Sequence, residues 1–312
     1  MAWHRAIAAA DHGTGSGVGP WIDRTTTTAA ANLPWTDVAS DSTGIHLVAV
    51  AGLNGVNAGG DIWTSADAGA TWTNRTKGTR ASGQGWKSVA SDSNGTHLVA
   101  AIGAAGASPG GDVWTSADAG ATWNKRKTMA STAGFVLGPT VASDSTGAHL
   151  FVAARDIWTS TDSGATWTDA TAGTPAAAQN WVDMAADSTG THLVAITAYS
   201  DIWTSADSGA TWTNQTRGTA ASGQDWQGVA SDSTGTHLVA LCQQSLTRGG
   251  VLYGGDIWIS ATRVEPGTTA PGGLPRPATY GLRRHPTRRA PTSSRRPRRV
   301  RRVTSGRART PG

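Results

Sequence analysis

Length, composition and charge narrow the range of folds without fixing one. The 312 residues include 40 Gly and 15 Trp but a single cysteine, Cys242, which excludes a framework of intrachain disulfides. No apolar run approaches the roughly 20 residues that cross a bilayer as a helix, so no membrane segment is expected. The first residues hold one Arg before a short Ala-rich run, a pattern too weak for a signal peptide, and the compartment stays open.

The net charge of +5 averages two unlike segments. Residues 261–312 contain 14 Arg and one acidic residue, Glu265, for a charge of +13. Residues 1–260 contain 20 Asp, 12 Lys plus Arg and no Glu, for a charge of −8. Nucleic-acid binding would rest on the basic segment alone and is opposed by the acidic body, so we expect no nucleic-acid partner.

A repeat covers most of the chain. Its first half has the sequence W-x-x-V-A-S-D-S-T-G-T-H-L-V-A and occurs five times, once with Gly138 in place of Trp. The second half, G-D-I-W-T-S-A-D-S-G-A-T-W-T-N, occurs four times and begins again at 255–260. The aspartates of the D-S-T-G turns are spaced 51, 52, 43 and 45 residues apart: Asp41, Asp92, Asp144, Asp187 and Asp232. This period is typical of a four-stranded propeller blade.

Each repeat predicts four strands and no helix. W-x-x-V-A-S, H-L-V-A-V, D-I-W-T-S and T-W-T-N-x-T are short, apolar or alternating segments separated by turn residues. The predicted fold is therefore all-β, a β-propeller of about five four-stranded antiparallel blades over residues 20–260. Residues 1–19 are expected to be a poorly ordered N-terminal segment, and 261–312 a disordered Arg/Pro-rich tail.

An eight-residue element, S-x-D-x-G-x-T-W, joins strands three and four and is called the box below. Its Asp can accept hydrogen bonds from backbone N–H groups of its own turn. Its Gly supplies a positive φ without steric cost, and its Trp can cover the hairpin. We expect structural roles for the box residues Ser65, Asp67, Gly69, Trp72, Ser116, Asp118, Gly120, Trp123, Ser160, Asp162, Gly164, Trp167, Ser205, Asp207, Gly209 and Trp212.

The box resembles the Asp-box, or BNR, repeat of the sialidase-like and sortilin-like propellers. That repeat is seen in sialidases, sortilin-type receptors, some glycoside hydrolases and a photosystem II assembly factor. Four intact copies in register make the resemblance specific for the motif over about residues 21–260. It implies a propeller and an extracellular compartment, but little about activity, because this fold hosts unrelated functions.

The repeat histidines raise the alternative of a metal site. They occupy one slot on five different blades, so radial geometry keeps them apart instead of converging on one ion. A structural role at the start of strand two is the better interpretation, and no metal or cofactor is expected. The five are His46, His97, His149, His192 and His237.

The repeat stops abruptly after Ile259 and Ser260, where a fifth box should continue. If the last base of each codon is joined to the first two of the next, with synonymous codons chosen freely, codons 280–295 can encode W-x-x-A-A-S-D-S-T-G-T-H-L-V-A. Residues 261–312 are therefore interpreted as frameshifted repeat sequence without functional meaning. The alternative is a genuine Arg-rich tail that binds nucleic acid or acidic surfaces.

Antiparallel strand order separates two faces of the blades. The D-S-T-G turns and the boxes share one, the turn face, which is nearly uniform in sequence. The other, the variable-loop face, carries the connections 50–60, 101–111, 153–155, 196–200 and 241–255, where a binding site is expected. Strand one should be innermost and line a central channel. Its middle slots hold candidate ligand contacts: Asp37, Lys87, Ser88, Thr140, Asp183 and Gln227.

These features favour a non-catalytic binding or interaction module. We expect a monomer with a protein or glycan ligand on the variable-loop face. The alternatives are a glycoside hydrolase and a lectin-like carbohydrate-binding propeller. Sialidase chemistry requires an arginine cluster and a Tyr/Glu pair, whereas residues 1–260 have scattered arginines, no Glu and only Tyr199 and Tyr253. Paired-Asp hydrolysis stays open on residue type.

Closure of the ring depends on a segment near the start. Residues 21–25, W-I-D-R-T, resemble the fourth strand W-T-N-R-T at 72–76, and Trp21 precedes Trp35 by the usual 14 residues. One hypothesis pairs residues 20–27 with 255–260 and closes a five-bladed ring. The other treats 20–27 as the relic of an upstream blade and leaves an open arc.

Overall fold

A computed structural model describes residues 22–26, 28–52, 60–103, 111–129, 138–243 and 255–260. Within these ranges the chain forms strands and turns, and no helix there could span a membrane. The chain divides into two units, Met1–Thr268 and Thr269–Gly312. The predicted tail at 261–312 and the N-terminal segment 1–19 lie outside the described residues.

The described strands fall into five sheets that follow the five repeats. Blade one contains β1 (Trp35–Ser40), β2 (Leu47–Ala51), β3 (Ile62–Ser65) and β4 (Thr73–Asn74). Blade two contains β5 (Trp86–Ser91), β6 (Leu98–Ile102), β7 (Asp112–Ser116) and β8 (Asn124–Thr128). Blade three contains β9 (Thr140–Ser143), β10 (Leu150–Ala153), β11 (Ile157–Ser160) and β12 (Thr168–Asp169). Blade four contains β13 (Trp181–Ala186), β14 (Leu193–Thr197), β15 (Ile202–Ser205) and β16 (Thr213–Asn214), and blade five β17 (Trp226–Ser231), β18 (Leu238–Cys242) and β19 (Ile257–Ser260).

Every sheet is an antiparallel meander in sequence order. In the described ranges, blades one to four have four strands each and blade five has three. The first strands contact one another from blade to blade, in the order β1, β5, β9, β13 and β17. Strand one is therefore innermost, and the predicted all-β propeller is confirmed.

Strand four is shorter than predicted in blades one, three and four. Its two residues in blade one end at Asn74, whose side-chain Oδ1 accepts hydrogen bonds from the backbone N–H groups of Thr76 and Lys77, at 3.0 and 2.9 Å. This Asx turn diverts the chain into the connection to the next blade. Blade two has Lys125 in the Asn74 slot, and its β8 continues for five residues.

The core lies between blades, not inside them. Alternation along strand two divides each blade into a forward face, which packs on the following blade, and a backward face, which packs on the preceding one. The first junction joins Val48, Val50 and Ile62 of the forward face of blade one to Trp86 and Val89 of the backward face of blade two. Similar clusters fill the next three junctions.

Tryptophans anchor the backward faces. The ring of Trp86 packs edge-on against Trp114, with centroids 6.3 Å apart, and tilted against the box Trp123 at 6.4 Å. Trp181 has the same two partners in blade four, Trp203 and Trp212. Because indoles bury large areas, these triplets contribute much of the apolar burial at each junction.

The predicted closed ring is not observed in the described residues. Of residues 20–27, those at 22–26 form no strand, while Pro20, Trp21 and Thr27 lie outside the description. Among the described strands β19 has one neighbour, β18. The forward face of blade five is correspondingly exposed at Ile257 and Ile259. Closure is a non-local contact, which the local resemblance of 21–25 to a fourth strand does not determine.

Candidate functional site

The boxes on the turn face use their polar groups internally. The hydroxyl of Ser65 donates to Asp67 Oδ1 at 2.7 Å and accepts the N–H of Gly69 at 2.9 Å. Thr71 donates its backbone N–H to Asp67 Oδ1 at 2.8 Å and its hydroxyl to Oδ2 at 2.6 Å. The other three boxes repeat this pattern. The Thr71 hydrogen bonds, followed by that from Ser65, lower the pKa of Asp67 to about 2. This geometry agrees with a turn-holding role.

Each repeat histidine pairs with the aspartate of its own D-S-T-G turn. The Nδ1–Oδ2 distance is 2.9 Å for His46 and Asp41 and 2.7 Å for His192 and Asp187. Burial raises the pKa of Asp41, but hydrogen bonds from His46 and Thr43 outweigh it and hold that pKa below its usual value. In the described ranges no three His, Cys, Asp or Glu side chains form a group that could hold a metal ion. Each repeat histidine therefore has its carboxylate partner on its own blade.

A chain of backbone hydrogen bonds links the D-S-T-G turns from blade to blade and is called the serine belt below. The N–H of each turn serine donates to the carbonyl of the corresponding serine on the next blade, at 2.9–3.0 Å. The belt runs through Ser42, Ser93, Ser145, Ser188 and Ser233. It fixes the spacing of neighbouring blades on the turn face.

The predicted channel residues of strand one form hydrogen bonds between blades. Asp37 Oδ2 accepts the backbone N–H of Val89 at 2.6 Å, and Ser88 Oγ accepts that of Val141 at 3.2 Å. A β-bulge between Trp35 and Asp37 accompanies this arrangement, since a bulge re-aims a side chain.

The same slot continues into blades three to five. Asp183 Oδ2 accepts the backbone N–H of Val229 at 2.9 Å, and its Oδ1 accepts the hydroxyl of Thr140 at 3.2 Å. All four polar side chains at this slot are buried. Lys87 and Gln227, one residue earlier on their strands, are half-buried. A ligand-binding role for these six residues stays a prediction.

Aspartates at the start of strand three lie on the variable-loop face and hold the following connection. Asp61 accepts hydrogen bonds from the amide of Asn74 and the hydroxyl of Thr76, both at 2.8 Å. Asp201 has the corresponding partners in blade four, at 2.8 and 2.9 Å. Burial raises the pKa of both aspartates. The hydrogen bonds lower the pKa by more than burial raises it, so the net shift is downward. Such carboxylates act as acceptors and are poor proton donors.

Tyr199 stands out on the variable-loop face. Its side chain is 71% exposed, and its φ of 53° lies in the left-handed region that bulky residues rarely adopt. The loop is closed by the backbone N–H of Thr197, which donates to the carbonyl of Asp201 at 3.1 Å. The variable loops predict a ligand site on this face, but the sequence does not single out Tyr199 within it. Its only signal was a lone aromatic residue in a short variable loop.

Two small cavities lie near the inner and turn-face ends of the blades. Each has a volume of about 30 Å³, one beside His46 and Arg75 and the other among the inner strands beside Ser40, Ser91 and Ser143. This volume suits one water molecule. Neither cavity can take a glycan or peptide.

The chain matches no protein-family model and no curated protein. Among solved structures it is similar to a GH74 enzyme of Niastella koreensis, at TM-score 0.55 and 20% identity, and to the GH74 xyloglucanase of Xanthomonas campestris, at 0.55 and 18%. The matches cover 73% of this chain and 37% of each of those chains. YCF48 bound to a D1 peptide matches at TM-score 0.48 and 18% identity, over 73% of this chain and 65% of that one. At these identities the likeness to the two GH74 structures shows a shared β-propeller fold, and the activities of those longer proteins are not carried over with it.

Proposed function

We propose that this chain is a non-catalytic binding module of the Asp-box type, whose ligand contacts the variable-loop face. The proposal is based on a difference between the turn face and the variable-loop face. The turn face commits its carboxylates and hydroxyls to its own turns, whereas the opposite face presents the exposed ring of Tyr199.

The state of three carboxylates argues against their acting as the proton donor in hydrolysis. A glycosidase of the paired-carboxylate type needs one carboxylic acid whose pKa is raised, so that it can protonate the leaving group. The pKa is instead held below its usual range at Asp61, Asp201 and Asp207, where hydrogen bonds to the charged form outweigh the opposing effect of burial. These groups stay ionised near neutral pH.

The exposed ring of Tyr199 supports binding. Its left-handed backbone costs about 1–2 kcal/mol relative to a right-handed one. An exposed phenol ring offers an apolar face and a hydroxyl, which suits stacking on a sugar ring or on an apolar peptide side chain. The ligand class is therefore a glycan or an extended peptide.

Immobilised glycans and synthetic peptides can test this proposal with three proteins. Labelled wild-type chain is compared with Tyr199→Ala and with Ile45→Ala. Ile45 is an exposed apolar residue on the turn face, so its substitution is the matched control. We expect wild type and Ile45→Ala to bind one class of probe, and Tyr199→Ala to bind it at least about tenfold more weakly. Binding that Tyr199→Ala leaves unchanged, or that Ile45→Ala abolishes, would contradict the assignment of the face.

A glycoside hydrolase is the second candidate because two GH74 structures share the fold. The same preparations can be incubated with xyloglucan while new reducing ends are measured. The binding-module proposal expects no release above that of heat-denatured protein.

A further inference from the structure

Each junction inside the chain buries one forward and one backward apolar face. The backward face of blade one and the forward face of blade five are exposed instead. Val38 on the backward face of blade one is 45% exposed, whereas Val89 in the same slot of blade two is 2% exposed. On the forward face of blade five Val239 is 38% exposed, whereas its counterpart Val194 is 1% exposed. Ile259, in the slot of the buried Thr204, is 82% exposed.

The two exposed faces are of opposite kinds. Each junction inside the chain joins the forward face of one blade to the backward face of the next. The exposed forward face of blade five is therefore the complement of the exposed backward face of blade one. Neither face is the complement of itself, so a two-fold symmetric contact between identical faces is disfavoured.

The serine belt ends in the same complementary way. The backbone N–H of Ser233 is the donor that would continue the belt, and the carbonyl of Ser42 is the acceptor that would precede it. Among the described residues neither group has a partner in the belt. A donor at one end and an acceptor at the other again suit a head-to-tail contact.

The edges of the sheets give a third complementary pair. Among the described residues β19 has no fourth strand beside it, whereas blades one to four each have one. Residues 22–26 are followed by a connection that matches the one after strand four: Thr28 N–H donates to the Thr25 carbonyl at 2.9 Å, as Thr79 N–H does to Thr76. Ala30 is buried in this connection, like Ala81. The segment thus has the connection of a fourth strand, while the described part of the chain places no third strand beside it.

We propose that the chain associates head to tail with a second copy of itself, the forward face of blade five packing on the backward face of blade one of the partner. Residues 22–26 of the second copy would lie beside β19 as its fourth strand. A second copy is the inferred partner because this contact would repeat the junction that the chain already forms four times between its own blades. This differs from the monomer expected from the sequence.

Sedimentation of two single-face variants and their mixture tests the proposal. Val38→Lys charges the backward face of blade one, Ile259→Lys charges the forward face of blade five, and Tyr199→Lys is the control on the variable-loop face. All three side chains are exposed, so the folds should be retained. High salt suppresses charge-driven contacts of the Arg-rich segment.

We expect wild type and Tyr199→Lys to form species above 31.9 kDa that grow with concentration. Val38→Lys and Ile259→Lys should each remain at the single-chain mass. Their equimolar mixture should give a 1:1 dimer, because one intact forward face then meets one intact backward face. Wild type that stays at the single-chain mass, variants that assemble like wild type, or a mixture that fails to pair would each overturn the proposal.

A strengthening variant gives an independent check. The slot that holds Thr140 in blade three holds Gly228 in blade five. Thr140 donates to Asp183 of the next blade, and Gly228→Thr could donate to Asp37 of the second copy in the same way. A Cβ at Gly228 meets only the Leu241 side chain at 3.6 Å, an ordinary contact. The dissociation constant should fall about fivefold, and an unchanged or higher value counts against the proposed geometry.

Discussion

The carboxylate of Asp37 on the innermost strand of blade one accepts the backbone N–H of Val89 on the innermost strand of blade two, at 2.6 Å. Asp183 makes the corresponding contact to Val229 between blades four and five, at 2.9 Å. These buried acceptors link consecutive blades at their innermost strands, while the serine belt links them on the turn face. Both sets of contacts join blades that are consecutive in the chain.

Removal of the Asp183 carboxylate should destabilise the fold. Asp183→Ala leaves the buried N–H groups of Met184 and Val229 without their acceptor, and we expect a loss of about 3 kcal/mol in the free energy of unfolding. Asp183→Asn keeps one acceptor oxygen and should lose less. The midpoint and slope of denaturant unfolding measure both variants. Equal stability of Asp183→Ala and wild type would exclude a linking role for this carboxylate.

The boxes predict a loss of stability in acid. The pKa of Asp67 and of Asp162 is lowered to about 2 from 3.8, mainly by hydrogen bonds from Thr71 and Thr166. A carboxylate with a lowered pKa contributes its full stability above about pH 4 and loses it as the pH falls through 2. Melting temperatures should therefore fall between these values. In the double variant Asp67→Asn and Asp162→Asn, which does not titrate at these sites, the fall should be smaller; an identical slope would contradict the prediction.

The histidines should stabilise turns and bind no metal. His192→Ala removes the 2.7 Å contact to Asp187 and should cost about 1 kcal/mol. Zinc or a chelator should leave the melting temperature of wild type unchanged. A rise with zinc that disappears in His192→Ala would show a metal site instead.

Replacement of Tyr199 should separate binding from stability. Tyr199→Gly relieves the left-handed backbone, whereas Tyr199→Ala keeps it, so the Gly variant should be the more stable by about 1 kcal/mol. Both variants lose the ring and should lose ligand binding. If Tyr199→Gly is the less stable of the two, the tyrosine conformation is not strained.

Local motifs made the blades predictable. The box couples Asp67, Gly69 and Trp72 within eight residues, so its turn and both flanking strands follow from short-range chemistry. The inter-blade role of Asp37 did not follow, because it depends on a bulge and on a partner 52 residues away. The exposed end faces also depend on contacts between distant blades. The Arg-rich segment 261–312 lies outside the described residues, and its frameshift origin stays a prediction.

Whether this propeller binds without catalysis is tested by an assay of glycoside cleavage with the purified full-length chain. Xyloglucan and a fluorogenic sialoside are the substrates, with reducing ends and released fluorophore as the readouts. We expect no release above that of heat-denatured protein on either substrate. Turnover that is abolished by Asp37→Asn or Asp183→Asn on xyloglucan, or by Tyr199→Phe or Tyr253→Phe on the sialoside, would contradict it.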